Sequence, residues 1–260
     1  MTTYARPRLI AEDDPRYRAH VAQFVLLRKN QKAMRPPRQR ELFGGQAEAA
    51  LRTWLDARLE LDDRRILEYE ERRNRRGFIK YRELDGLHIA ARTAHVFEIK
   101  ASRSASALRR AIGQLQETRA ILRLLYPVVA VTILLVDTGI PADQEALEAL
   151  MSSERPPPRR PELFAEVLEA LPDLHFCTSF EQTGDAERVG LLRFSVEDII
   201  AIAGAENLAL AWEEDDLEPD EPPEPRPTSS LYTTSEPNET PPDDDDDNPM
   251  AAAMRRAGLK

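Results

Sequence analysis

The chain has 260 residues, of which 46 are acidic and 36 basic, for a net charge of -10 at neutral pH. Its one cysteine, Cys177, excludes an intramolecular disulfide and a cysteine-built metal cluster. The N-terminus lacks a signal-type apolar segment and the longest apolar run, 128–136, is too short to span a bilayer, so the expectation is a soluble cytoplasmic protein with no membrane contact.

The charge is unevenly placed. Residues 213–260 hold 15 acids and 4 bases, whereas residues 1–212 hold 31 acids and 32 bases. The acidity therefore belongs to the tail and does not argue against a polyanionic partner for the rest.

Residues 1–12 read as loosely held. Asp13-Asp14-Pro15 is a helix start, with a capping acid and proline near the first helical position. That helix should run to about residue 32, with Tyr17, Val21, Phe24 and Val25 on its apolar face. The first 40 residues hold ten Lys or Arg against three acids. Lys29, Lys32, Arg35, Arg38 and Arg40 form either a solvated basic face or an arm that contacts phosphates. The expected organisation is a basic helical arm over 1–43, a core domain over 44–212 and a tail over 213–260.

Gly44-Gly45 opens a second predicted helix over 46–61, with Ala47, Leu51, Trp54, Leu55 and Leu59 at helical spacing. Glu48 in its first turn either complements the helix dipole or, if the helix lies beside a sheet, points toward acids further along the chain. Residues 64–71 alternate as a first strand and 74–77 form a turn. Residues 78–84 are a second strand whose pattern continues through Leu87 and Ile89, followed by a turn at 91–94. Residues 95–101 are a third, central strand, because Val96, Phe97 and Ile99 are apolar on both faces.

Ser104 or Ser106 caps a long helix to about residue 126, with Leu108, Ile112, Leu115, Ile121, Leu122 and Leu125 inward, and Pro127 ends it. Residues 128–136 form a strand buried on both faces. Strand, helix and buried strand make a βαβ crossover, which demands parallel pairing. A helix over 141–151, a proline-rich loop over 152–161, a helix over 161–171, strands over 174–180 and 189–194, and a helix from 196 to about 205 complete an α/β layered structure with a mixed sheet. Cys177 sits in an apolar run and reads as a small buried side chain.

After Trp212 the chain turns to Pro, Asp, Glu, Ser and Thr, which cannot bury enough surface to order itself. Its end, 250–259, is apolar and basic, with Arg255 and Arg256. It is either a frayed terminus or a peptide for a partner tethered by the acidic segment.

Glu98 and Lys100 are two apart, so they share one face of the central strand. Asp85 precedes Glu98 by 13 residues, a span that a hairpin closes. An ion pair on the surface does not account for charges that interrupt a central apolar strand, and burying them without a cation is costly.

This order of a helical acid, a hairpin aspartate, Glu98-Ile99-Lys100 and a helical glutamine resembles the PD-(D/E)XK nuclease superfamily. The similarity is to its Holliday-junction resolvase and RecB-type branch, over about residues 44–137. The resemblance implies a three-layer restriction-endonuclease-like core. It implies Asp85, Glu98 and the Ile99 carbonyl as ligands of Mg2+ (or Mn2+), with Glu48 as an additional acid, Lys100 assisting the attacking water, and Gln114 as the family's helical glutamine. Leu84 stands where the name-giving motif has proline. Glu83 is an auxiliary acid or a solvent-exposed residue.

Arg103, Arg109 and Arg110 follow the central strand, and Arg72, Arg73, Arg75 and Arg76 lie near the hairpin turn. With Lys32 and Arg35 of the arm, they either hold the DNA backbone or form solvated faces. No base-reading motif is visible, so backbone or shape recognition is expected. The expected function is a Mg2+-dependent DNA nuclease in repair, recombination or defence against foreign DNA. The rival expectation is a catalytically inactive scaffold of the same fold that engages a protein partner through its acidic tail; a homodimer is compatible with either.

Overall fold

The computed structural model describes residues 3–29, 38–73, 76–102, 105–153, 156–157 and 159–211. Lys32, Arg35, Arg75, Arg103 and the tail 213–260 lie outside the described residues. The strands form two sheets. β1 (Thr3–Ile10), β2 (Ile66–Arg73) and β3 (Arg76–Glu83) make a three-stranded antiparallel sheet in that order. β4 (Gly86–Ala90), β5 (Thr93–Ser102), β6 (Val128–Asp137), β7 (Leu174–Cys177) and β8 (Val189–Phe194) make a five-stranded sheet in the order β4-β5-β6-β8-β7. β4 is antiparallel to β5 and the other pairs are parallel. The α/β class with a mixed sheet is therefore as the pattern predicts. The single sheet expected for the hairpin and the central strand is replaced by two.

The split falls at Leu84-Asp85. The alternation from 78 to 89 reads as one strand, but the chain bends between β3 and β4. Leu84 N–H still donates to the Arg65 carbonyl beside β2, at 2.9 Å. Gly86 then starts pairing with Phe97 of β5. A Cβ on Gly86 would stand 3.2 Å from Leu55 and 3.3 Å from Phe97, so this position needs the bare backbone to enter the second sheet.

The helices are α1 (Pro15–Lys29), α2 (Gln39–Asp56), α3 (Ala105–Leu122), α4 (Gln144–Met151), α5 (Phe164–Glu169) and α6 (Val196–Ala203). On one face of the five-stranded sheet Val96, Val131, Ile133 and Leu135 pack with Leu108, Ala111 and Leu115 of α3. On the other, Phe97, Ile99, Leu134 and Val136 pack with Phe43, Leu51 and Leu55 of α2 and Ile199 of α6. The result is three layers around one sheet. Each fully buried leucine, such as Leu51, Leu55, Leu108 or Leu115, contributes roughly 1.5–3 kcal/mol.

Two expectations are corrected. The segment expected to be loose is not so where it is described, because Thr3–Ile10 pairs along β2. Arg8 there forks onto Glu68 at 2.6 and 2.7 Å, and the Tyr4 ring meets Tyr69 edge-on. The strand is an edge, and Pro7 sits where its register shifts between Ala5 and Arg8. The segment therefore belongs to a sheet and is not a separate arm. Second, α2 begins at Gln39, with the Glu41 carboxylate accepting the Arg38 N–H at 3.1 Å. Gly44-Gly45 lies inside this helix, because the apolar stripe starting at Phe43 outweighs the roughly 1 kcal/mol glycine penalty. The 43/44 boundary thus cuts a continuous helix. Among the described residues no helix is long and apolar enough to cross a membrane.

Candidate active site

β5 outruns its neighbour β4. Pairing ends at Gly86–Phe97, whereas β5 continues to Ser102. Asp85, which lies in the bend and not on a strand, fills the next position. Its Oδ2 accepts the Ile99 N–H at 2.7 Å. The N–H and C=O of one strand residue point to the same side, so the Ile99 carbonyl is directed to this same edge. A carboxylate, a main-chain carbonyl and the start of the Glu98-Ile99-Lys100 run are thereby placed together.

Glu98 and Lys100 share the β5 face turned to α3, and Lys100 Nζ lies 2.5 Å from Glu98 Oε1. Their side chains are 14% and 36% exposed. Glu48 comes from the opposite layer. Gly44 lies beside Ala101, where a Cβ on it would make ordinary contact with the Ala101 Cβ at 3.8 Å. This carries α2 past the end of β5, and Glu48 follows one turn later, half-buried.

The four ionisable groups feel one another. Burial pushes the Asp85 carboxyl up to about 8; Glu98 and Glu48 add to the rise, while Lys100 and the Ile99 N–H oppose it. Burial also raises Glu48, with Lys100 opposing and Glu83 and Glu98 adding. Burial alone would lower Lys100, but Glu98 and Asp85 outweigh it and the ammonium is held above its usual range. Three acids around one ammonium leave an excess of negative charge in a half-buried place. Such an excess draws a cation or a proton.

Gln114 of α3 is half-buried, and its main-chain carbonyl accepts from Arg82 at 2.9 Å and from the Thr118 hydroxyl at 2.8 Å.

The arginine clusters are not all gathered here. Arg72, Arg73 and Arg76 sit at the tip of the β2–β3 hairpin, about 23 Å of strand away from Asp85. Arg72 forks onto Glu70 at 2.9 and 3.1 Å, and Arg73 bonds to Glu71. These charges are matched within their own strand, so the hairpin tip does not join the acid cluster. Arg109 and Arg110 stand in the first turns of α3, just after β5. Arg109 is tied to Glu162 at 2.7 Å, and Arg110 is exposed.

Sequence reasoning passed over two cations. Arg65 ties Glu83 at 2.6 Å and also pairs with Glu12, so Glu83 is committed to the α1 side, where Glu12, Tyr17, Arg18 and Val21 line an open cleft. Arg82 is 11% exposed and spans to α3. The alternation of Lys80 and Arg82 on one face of a half-apolar strand was the signal for it. The two histidines nearest in sequence are engaged elsewhere: His88 Nδ1 lies 2.7 Å from the Glu60 carbonyl and His95 Nε2 lies 2.9 Å from Thr132 Oγ1.

Among the described residues no three or more His, Cys, Asp and Glu side chains are grouped as a ready metal cage. No protein-family model, no curated protein and no solved structure compared with this chain matches it, so the site stands on its own geometry.

Proposed function

We propose that this chain is a Mg2+-dependent DNA nuclease with a restriction-endonuclease-like core, acting inside the cell in repair, recombination or defence against foreign DNA. The observation that carries the reading is the shared field of Asp85, Glu98, Glu48 and Lys100 at the uncovered edge of β5, with Asp85 anchored on the Ile99 N–H. Holding those acids together is unfavourable for the bare protein, and a hard cation removes the cost.

The donor set fits such a cation. Mg2+ takes one or two carboxylates and keeps several waters; Asp85, Glu98 and the Ile99 carbonyl suffice, and a three-acid cage is not required. Mn2+ accepts the same oxygens. Bound there, the ion would supply Lewis acidity toward a phosphoryl oxygen and a more acidic water. Lys100, held protonated and a third exposed, is placed to stabilise charge on a phosphate or to orient water. Glu48, with its proton affinity raised by burial, is suited to accept a proton from that water. Arg110 beside the end of β5 offers a phosphate contact.

The test is cleavage of single-stranded, duplex and branched DNA in Mg2+, Mn2+ or EDTA by wild type, Asp85→Ala and Lys100→Ala. The reading expects metal-dependent cleavage that each substitution lowers on the order of 10²–10⁴-fold. Equal rates in wild type and both variants would sink it.

A second reading is favoured by the arginines matched internally. Arg72 with Glu70, Arg73 with Glu71 and Arg109 with Glu162 leave less positive surface for a polyanion. An inactive scaffold that meets a protein partner through the acidic tail 213–260 fits that surface. Pull-down with the full chain and with residues 213–260 removed tests it, and light scattering reports a homodimer.

A further inference from the structure

Asp85 sits in a bend with a held residue on either side. Upstream, Leu84 is 2% exposed and its N–H donates to the Arg65 carbonyl at 2.9 Å. Downstream, Gly86 pairs with Phe97. One short segment, 61–65, reaches both sides of this bend. Leu61 bridges to His88, and the Asp62 N–H donates to the Leu87 carbonyl of β4 at 2.7 Å. Arg64 forks back onto Asp62 at 3.0 and 2.7 Å. Arg65 then closes the segment on the β3 side. One of its Nη atoms lies 2.6 Å from Glu83 Oε1 and 3.4 Å from the Leu84 carbonyl, and the other Nη pairs with Glu12. The Arg65 side chain is 13% exposed.

We propose that Arg65 is a positioning residue for Asp85: by clasping Glu83 and Leu84 while Asp62 holds Leu87, it splints the bend and keeps the Asp85 carboxylate on the Ile99 N–H. Only Asp85 and Gly86 lie between the two splinted residues, and two residues of chain leave little slack to re-aim a side chain. The same clasp keeps Glu83 paired on the α1 side. Lysine does not replace it, because one ammonium on a flexible stem does not serve two carboxylates and a carbonyl in fixed directions. Its effect on metal binding and cleavage rests on the nuclease reading, whereas its effect on the Asp85–Ile99 bond is read without metal or DNA.

The experiment compares wild type, Arg65→Met and Arg65→Lys in the full chain. Amide hydrogen exchange of Ile99 is measured against the slowest-exchanging amides of β6, in EDTA. Mn2+ affinity is measured by calorimetry, and kcat for DNA cleavage per folded molecule. β4 has left β5 at Ile99, so the Asp85 carboxylate is the acceptor that protects this amide. In Arg65→Met, Ile99 should exchange about tenfold faster or more relative to the β6 amides. Mn2+ affinity and kcat should each fall on the order of 10–100-fold, as for other groups that orient a metal ligand. Arg65→Lys should recover little, and it carries the test if Arg65→Met does not fold.

A tie that serves stability alone would speed all the slow amides by one factor and leave Ile99 unchanged relative to β6, which overturns the inference. Full recovery in Arg65→Lys also overturns it, because charge on Glu83 would then suffice. If wild type neither binds Mn2+ nor cleaves DNA, the nuclease reading falls, and the exchange of Ile99 still decides whether Arg65 holds Asp85.

Discussion

Asp85 Oδ2 accepts the Ile99 N–H at 2.7 Å, although the two residues belong to different segments of backbone and β4 has already left β5 at that point. The carboxylate replaces a missing strand bond. It also brings its charge within the field of Glu98 and Glu48.

The first prediction follows from that placement. Asp85 titrates near 3.9 when unfolded and near 8 in the fold. Its folded pKa is raised, so the folded state binds more protons between those values. Stability is then present at low pH and falls as pH rises toward 8. Asp85→Asn keeps an acceptor for Ile99 without the charge. In EDTA at pH 8 it should be more stable than wild type by on the order of 1–3 kcal/mol, allowing for the coupling to Glu98 and the partial exposure. The advantage should shrink at pH 5 and when Mg2+ is added. Urea denaturation at the two pH values measures this; a variant less stable than wild type at pH 8 would mean that Asp85 is only a backbone cap.

Lys100 separates binding from chemistry. Lys100→Met removes a positive charge 2.5 Å from Glu98. Mn2+ should bind at least as tightly to this variant, because the competing cation is gone, while cleavage should fall by about 100-fold or more. Calorimetry and a DNA cleavage assay read the two effects independently. Weaker Mn2+ binding in Lys100→Met would contradict the shared-site geometry.

His95 predicts acid sensitivity of a different origin. Burial, with His88 adding, depresses its imidazole to about 4. A depressed folded pKa in a base favours the neutral form, so stability is full above about 6.5 and lost as pH falls toward 4. His95→Gln keeps a partner for Thr132 Oγ1 and carries no proton to gain. From pH 7.5 to 4.5 the unfolding temperature of wild type should drop further than that of His95→Gln. Parallel drops would show that His95 does not carry the acid lability.

Arg8 tests the reassigned N-terminus. A loose segment would tolerate any change, whereas Arg8 forks onto Glu68, whose side chain is 9% exposed. Arg8→Ala removes that carboxylate's counter-ion, leaving it with the Tyr81 hydroxyl, and should cost about 1–3 kcal/mol in chemical denaturation. No measurable loss would show that β1 contributes little to the fold.

Local patterns carried much of the architecture. The short run Val189–Phe194 marks β8 at both ends, and the almost wholly apolar, largely β-branched 128–136 marks β6 in the middle of its sheet. The helix between β5 and β6 is long enough to force a parallel crossover, and the pairing is parallel. Glycines and weak alternation misled: Gly44-Gly45 looks like a boundary but is carried inside α2 by packing of Phe43, and β1 has little apolar pattern because cross-strand ion pairs hold it.

By itself, the sequence determined which residue types stand on which element: a helical Glu48, the Glu98–Lys100 pair on one face of a strand with two buried sides, and a Gln114 at mid-helix. These follow from periodicity, which is a local property of the chain. The tertiary structure alone decided that the strand pattern breaks at Leu84-Asp85, that Asp85 reaches the Ile99 N–H, that Arg82 crosses to α3, and that Arg72 and Arg73 are matched by Glu70 and Glu71 away from the acids. The first three depend on contacts between residues distant in sequence, which no short window contains; the last joins residues two apart, but which neighbours share the charge is set by the folded hairpin.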